Sequence, residues 1–209
     1  MAGRTGRARS PPPAPPGGSP IGPIRSFVAI LLPDDLRAAL GGEVERLRAG
    51  ARGVGWVAPD NLHLTLKFLG GVEAARLEQV AAALATTAAG GASFDLALRG
   101  LGAFPSPRRP RVIWAGVARG GAELAALATG VEDALARLGF AREERPFSAH
   151  VTLGRVREPR RGPTLAAALG AAAGRELGGF RVERLALMRS DLSPRGARYS
   201  VLDSWALGR

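Results

Sequence analysis

The chain has 209 residues, of which 46% are hydrophobic and 22% charged, with no Cys, two His and a formal net charge of +11. That balance describes a globular protein with enough chain to bury a core, and excludes a disulfide scaffold, a thiolate nucleophile and a Cys-based metal centre. Lys67 is the sole lysine, so the basic excess is almost all Arg, whose planar donor fork suits phosphate oxygens. An Arg-, Ala- and Gly-biased genome produces the same excess, and composition alone permits an anionic ligand without requiring one.

Residues 1–22 hold six Pro and five Gly, with Arg4, Arg7 and Arg9 as their only charges. Such a stretch settles in neither helix nor strand and has no apolar core for a signal peptide. It reads as a disordered basic tail, leaving one two-lobed domain over 23–209. The run Arg25 to Leu32, ending at Pro33, predicts a buried strand too short to cross a membrane, so a cytoplasmic location is expected. Asp34 and Asp35 then open a helix carrying Leu36, Leu40, Val44 and Leu47 on one face, ending near Gly50. A short strand around Trp56 and a turn at Pro59-Asp60-Asn61 lead into Leu62 to Leu69, which alternates strictly and stops at Gly70-Gly71. Val72 to Ala89 has helical spacing.

A similar order recurs. Phe94 to Leu101 and Arg111 to Val117 predict strands around a Pro-rich loop holding Arg108 and Arg109. Gly121 to Leu138 predicts a helix, Phe147 to Val156 a strand and Thr164 to Ala173 an Ala-rich helix. Phe180 to Ser190 and Arg198 to Ala206 predict the closing strands around a turn at 193–196. Several strand pairs have connections too short for parallel crossovers, which argues an α+β fold of mainly antiparallel sheet.

The two His fall in Leu62-His63-Leu64-Thr65-Leu66-Lys67-Phe68 and in Ala149-His150-Val151-Thr152-Leu153-Gly154. Each reads His-x-Thr-Leu. With seven Thr in the chain, both His meeting Thr two residues on is about a 0.1% coincidence. Side chains two apart on a strand leave by one face. Each strand therefore presents an imidazole and a hydroxyl together, with Leu62, Leu64, Leu66 and Phe68 behind the first pair and Val151 and Leu153 behind the second to fill the core. Two lobes related by a pseudo-twofold axis would bring both pairs to one cleft. There one imidazole, neutral, removes a proton from water while the other, protonated, donates to a leaving oxygen. The Thr65 and Thr152 hydroxyls hold the non-bridging oxygens of a phosphate, and a nearby Arg stabilises the negative transition state. This chemistry calls for no metal and no cofactor.

At these residues the chain resembles the two-histidine phosphoesterase superfamily, and within it the RNA 2′,3′-cyclic phosphodiesterases, also called 2′-5′ RNA ligases. The resemblance covers Arg25 to Trp205 and includes RSFVAILLP, WVAPDNLHLTLKFLG, FPSPRRPRVIWAGV, FSAHVTLGR and the end segment from Met188. It implies two pseudo-symmetric lobes with outer helices around a central cleft. It implies hydrolysis of an RNA 3′-terminal 2′,3′-cyclic phosphate to a 2′-phosphate, with His63 as proton donor and His150 as proton acceptor. A monomer is expected. Thr65, Thr152 and Arg155 are the implied phosphate-binding residues. Strand parity alone puts Lys67 on the face of His63 and Thr65, toward the phosphate or on a solvated rim. Arg108 and Arg109 suit the RNA backbone or a plain charged loop. Phe27 and Tyr199 suit a terminal base, although Phe27 equally suits the core. Trp56 and Trp114 read as strand or core residues. Two alternatives remain: the same chemistry on a small cyclic nucleotide or ADP-ribose cyclic phosphate, and a non-enzymatic RNA-binding module whose binding survives loss of both His.

Overall fold

Alternating strands with one apolar face must bury that face against helices, and the computed structural model of the chain is arranged that way. It describes residues 22–157, 163–194 and 196–208; the N-terminal tail, apart from Gly22, lies outside them. Nine strands form one sheet: β1 (Ile24–Leu31), β2 (Val54–Trp56), β3 (His63–Val72), β4 (Phe94–Phe104), β5 (Val112–Arg119), β6 (His150–Val156), β7 (Glu176–Val182), β8 (Arg184–Ser193) and β9 (Gly196–Ala206). The helices are α1 (Asp34–Arg48), α2 (Ala74–Gly90), α3 (Gly121–Ala136) and α4 (Pro163–Ala171). The spatial order is β7-β4-β5-β6-β3-β1-β8-β9, with β2 beside β6 and every strand pair antiparallel. The fold is α+β. None of the described helices is long and apolar enough to cross a membrane.

The duplication is visible in this order. The unit β1-α1-β3-α2 corresponds to β5-α3-β6-α4, and each unit gains two outer strands: β8 and β9 on one side, β4 and β7 on the other. The two motif strands, β3 and β6, meet through the ladder pair Leu64↔Val151, and further along β6 the short β2 of the first half takes over the pairing. Helices lock the junction by crossing it, since α1 packs on β7 and α3 packs on β3. One apolar core runs through both halves and includes Ile30, Leu64, Leu98, Ile113, Val151 and Leu153, each at most 1% exposed.

Three sequence expectations are corrected. Phe180 to Ser190 is not one strand. The chain bends at Glu183, so that β7 pairs with β4 at one edge of the sheet while β8 pairs with β1 in the other half. The first part of β7, with Gly178 and Gly179, lacks strand-like composition and is held as an edge strand by pairing alone.

Lys67, the second correction, does not face the cleft. Ala29 pairs with Thr65 and Val28 with Lys67, so Leu66 is an extra residue bulging from β3. A bulge resets the alternation of faces. Leu66 and Lys67 both turn to the helix side, and Phe68, expected in the core, is the third correction: the bulge returns it to the side of His63 and Thr65. The Lys67 side chain is 4% exposed, and its ammonium donates to both oxygens of Glu132 on α3 at 2.8 and 2.7 Å and to the Ala141 carbonyl at 2.7 Å. Three acceptors satisfy the three donors of a buried ammonium.

Removing one partner of a buried ion pair strands the other charge. Glu132→Ala is therefore expected to lower stability by about 3 kcal/mol in urea unfolding, by that mechanism. Replacing both partners with apolar residues of similar volume should recover most of it. A loss below about 1 kcal/mol for the single variant, the range of surface pairs, would show that Lys67 is hydrated instead.

Candidate active site

The pairing of Leu64 with Val151 sets the geometry of everything on the opposite face of β3 and β6. In an antiparallel ladder its register puts His63 across from Thr152 and Thr65 across from His150. Directly opposed side chains start about 4.5–5.5 Å apart, and diagonal ones about 7–8 Å. The two imidazoles thus occupy one diagonal of a small square and the two hydroxyls the other. All four residues are half-buried, while Leu64 and Val151 behind them are fully buried.

Both rings are fixed by the same device. Nδ1 of His63 lies 2.7 Å from the Asn61 carbonyl, and Nδ1 of His150 lies 2.7 Å from the Ser148 carbonyl, each two residues upstream. A carbonyl only accepts, so Nδ1 carries the hydrogen in both rings. In each neutral ring Nε2 is then the free lone pair, and in each charged ring it is the proton donor away from the backbone. The pair can act as base and acid toward a group lying between them.

Their surroundings differ. His63 stands on a small apolar cluster of Phe27, Ala29, Ala186 and Met188 on the cleft face of β1 and β8. Its ring lies 4.8 Å from that of Phe27 and meets Tyr199 edge-on at 5.2 Å. Burial holds the His63 pKa below the usual imidazole value, and the hydrogen bond to Asn61 opposes that shift. His150 meets the Phe104 ring edge-on at 5.1 Å, and Phe104 in turn packs on Trp114 at 5.3 Å. Trp114 pairs with Thr152 and lies over Gly102, where a Cβ would come within 2.3 Å of the indole. Half-buried on the cleft side, Trp114 belongs to the wall of the site, whereas Trp56 packs on the core as read from sequence.

The bulge of β3 has a counterpart in β6. Trp114 pairs with Thr152 and Ile113 with Gly154, so Leu153 is the extra residue. Gly154 turns toward the core, where a Cβ would lie 2.9 Å from Trp56 and Val54. Arg155 consequently returns to the face of His150 and Thr152 and is exposed there. The two motif strands share the burial sequence half-buried, buried, half-buried, buried, buried, exposed. Five residues beyond each His, matching bulges thus present Phe68 on one side and Arg155 on the other. Phe68 is 62% exposed, with its ring 6.1 Å from that of Phe27.

Of the residues singled out in the sequence, His63, His150, Thr65, Thr152 and Arg155 share this face. Phe27 is buried beneath His63, and Tyr199 flanks it. Arg108 and Arg109 are exposed in the β4–β5 loop, at the far end of β5 from Gly116, the partner of His150. Sequence reasoning missed Asn61 and Ser148, whose contribution is a carbonyl that every residue owns. It also missed Phe104 and sent Phe68 to the core, and only the pairing brings these two to the cleft. Among the described residues no three His, Asp or Glu side chains gather as a metal site.

Comparison with known proteins adds independent findings. The model of the LigT-like phosphoesterase family matches residues 30–114 and 116–199. An RNA 2′,3′-cyclic phosphodiesterase of Methanothermobacter thermautotrophicus is 34% identical over 184 residues, covering 88% of this chain and 99% of the relative. A protein of the same name from Thermus thermophilus is 37% identical, covering 88% of this chain and 90% of its own. Among solved structures, one of a Thermus thermophilus protein superposes with a TM-score of 0.75 at 34% identity, covering 89% of this chain and all of that one. E. coli LigT complexed with 3′-AMP superposes with a TM-score of 0.72 at 29% identity, covering 90% of this chain and 99% of that one.

Tyr199→Ala should let water reach the His63 ring and raise its pKa toward the usual value of about 6.5. The two His give only two imidazole signals in an NMR titration, so the shift of His63 is read directly. A His63 signal unmoved by the substitution would contradict burial as the cause.

Proposed function

The chain belongs to the LigT-like phosphoesterase family, and we propose that it hydrolyses the 2′,3′-cyclic phosphate at the 3′ end of an RNA to a 2′-phosphate. The observation that carries this reading is the cross-strand square of two imidazoles and two hydroxyls, each imidazole oriented by a backbone carbonyl. It is supported by relatives named RNA 2′,3′-cyclic phosphodiesterase that align over 88% and 86% of this chain and nearly the whole of their own.

In the proposed reaction the cyclic phosphate lies between the rings, its non-bridging oxygens bonded to the Thr65 and Thr152 hydroxyls. His150, neutral at Nε2, takes a proton from water as the water oxygen attacks phosphorus. His63, charged, gives its Nε2 proton to the departing 3′ oxygen. The P–O3′ bond breaks, and the phosphate remains on the 2′ oxygen. Burial makes the His63 imidazolium a stronger acid than a solvated one, which favours release of its proton. The negative phosphate opposes that burial and restores the proton to the ring when substrate binds. Arg155 offsets the charge gathering on phosphorus in the transition state. Proton transfer and hydrogen bonding supply each step, so the reaction needs no metal ion. Both motif strands belong to one chain, which makes a monomer sufficient.

Phe68 and the basic surface support a nucleic acid substrate. An exposed aromatic ring beside the phosphate is a stacking partner for the terminal base. Arg157 follows Arg155 on the same side of β6, with its guanidinium lying over Gly55, where a Cβ would come within 2.9 Å of Arg157 Nε. Together the two Arg extend positive charge away from the reacting phosphate, which suits a chain of phosphates more than a single nucleotide.

His63→Ala and His150→Ala should each lower turnover by about 10²–10⁴-fold, the reach of one proton-transfer group. The assay is conversion of an oligoribonucleotide ending in a 2′,3′-cyclic phosphate, with EDTA present. A variant that retains full activity would remove that residue from the chemistry, and a wild-type protein that forms no 2′-phosphate would remove the activity. Arg157→Ala should raise KM for the oligonucleotide and leave KM for a mononucleotide cyclic phosphate unchanged; equal effects on both would favour a small cyclic nucleotide as the substrate.

A further inference from the structure

We propose that Asn61 is a positioning residue that couples the β8–β9 hairpin to the ring of His63. Asn61 ends a 3-10 turn at Pro59–Asn61, and Leu62 alone separates it from β3. Its backbone carbonyl accepts the Nδ1 hydrogen of His63 at 2.7 Å. Its side-chain amide donates to the carbonyl of Ala197, 136 residues away on β9, at 2.8 Å. One residue therefore holds the imidazole with its backbone and the hairpin with its side chain.

The hairpin closes the circuit from the other side. Tyr199 lies two residues beyond Ala197 on β9, and its ring meets His63 edge-on and Phe27 at 5.1 Å. A groove of about 540 Å³ lies between the 3-10 turn and the hairpin, lined by Asp60, Asn61, Ser193, Ala197, Arg198 and Tyr199. The Asn61–Ala197 bond spans that groove and is the one side-chain hydrogen bond between its two walls among the described residues. Without it, the Tyr199 wall and the Asn61 carbonyl move independently, and His63 loses the two supports that fix its ring plane.

The other half of the molecule has no equivalent tie among the described residues. The carbonyl that holds His150 belongs to Ser148, an exposed residue of the irregular segment before β6, and the ring rests on Phe104 of the neighbouring sheet strands. The coupling is consequently specific to one imidazole. Whatever displaces the hairpin changes the orientation of His63 and leaves that of His150 alone.

The inference rests on the proposed reaction only for its kinetic readout; its structural readout is independent of any substrate. In the full-length protein, imidazole nitrogen NMR shifts report which ring nitrogen carries the hydrogen. Wild-type protein should show the Nδ1–H form for both His. Asn61→Ala should turn His63 alone into a mixture of the two tautomers. Asn61→Asp, which keeps the shape but cannot donate to Ala197, should do the same. Turnover should fall about 2- to 10-fold, the effect that one neutral hydrogen bond transmits, with KM unchanged. In a double-mutant cycle, Asn61→Ala should cost little once Tyr199→Ala has released the hairpin. Unchanged His63 tautomers in both Asn61 variants, or full additivity with Tyr199→Ala, would overturn the coupling. If the wild-type protein does not act on the RNA end, the tautomer result decides the proposal alone.

Discussion

A single ladder pair, Leu64 with Val151, joins the two motif strands, and the site depends on its register. A one-residue slip would turn His63 and Thr65, or His150 and Thr152, to the core side of the sheet. Packing and pairing around the junction hold the register. Leu64 and Val151 are fully buried, so a slip would expose them and bury an imidazole instead. Strand β2, from the first half, pairs with the far end of β6. Helix α3 packs on β3, and the Lys67–Glu132 ion pair fixes it there. Helix α1, from the first half, packs on β7 of the second. The motif residues are thus anchored from behind and beside the cleft, which leaves the cleft face free for polar groups. That separation suits a site whose acid and base must keep a fixed distance.

Pseudo-symmetry makes the two halves alike in backbone and unlike in chemistry. Both His are held through Nδ1 by a carbonyl two residues upstream, and both strands bulge three residues beyond the His. The side chains set at those equal places differ. One half offers Phe68, a buried Phe27 and Tyr199 around His63; the other offers Arg155, Phe104 and Trp114 around His150. An apolar surround lowers the pKa of the first imidazole. A guanidinium stands near the second pair, five residues along the strand from His150. Duplication supplies a symmetric frame, and side-chain divergence gives each ring a different surround; in the proposed reaction that difference separates acid from base.

Much of this was legible in the sequence because a strand has period two. The alternation at Leu62 to Lys67 and Ala149 to Leu153 fixes which residues share a face, up to the first irregularity. Beyond Leu66 and Leu153 the reading fails, since a bulge is a property of the pairing with β1 and β5 and leaves no local mark. That is why parity sent Lys67 to the cleft and Phe68 to the core, each to the wrong face. Arg155 was placed by resemblance, and the bulge supplies the physical reason it reaches the cleft. The first part of β7 was missed because Gly178 and Gly179 argue against a strand that only its pairing with β4 creates. Asn61 carries no signal in one dimension, because its partner lies 136 residues away.

The claim on which the account stands is that both imidazoles address one phosphorus. NMR titration of the wild-type protein with inorganic phosphate, following the two imidazole signals, tests it most directly. If one phosphate binds between both rings, as the account predicts, the two signals move together along one binding curve, with a single dissociation constant. Movement of only one signal, or two curves with different constants, would mean that the rings serve separate sites and would contradict it.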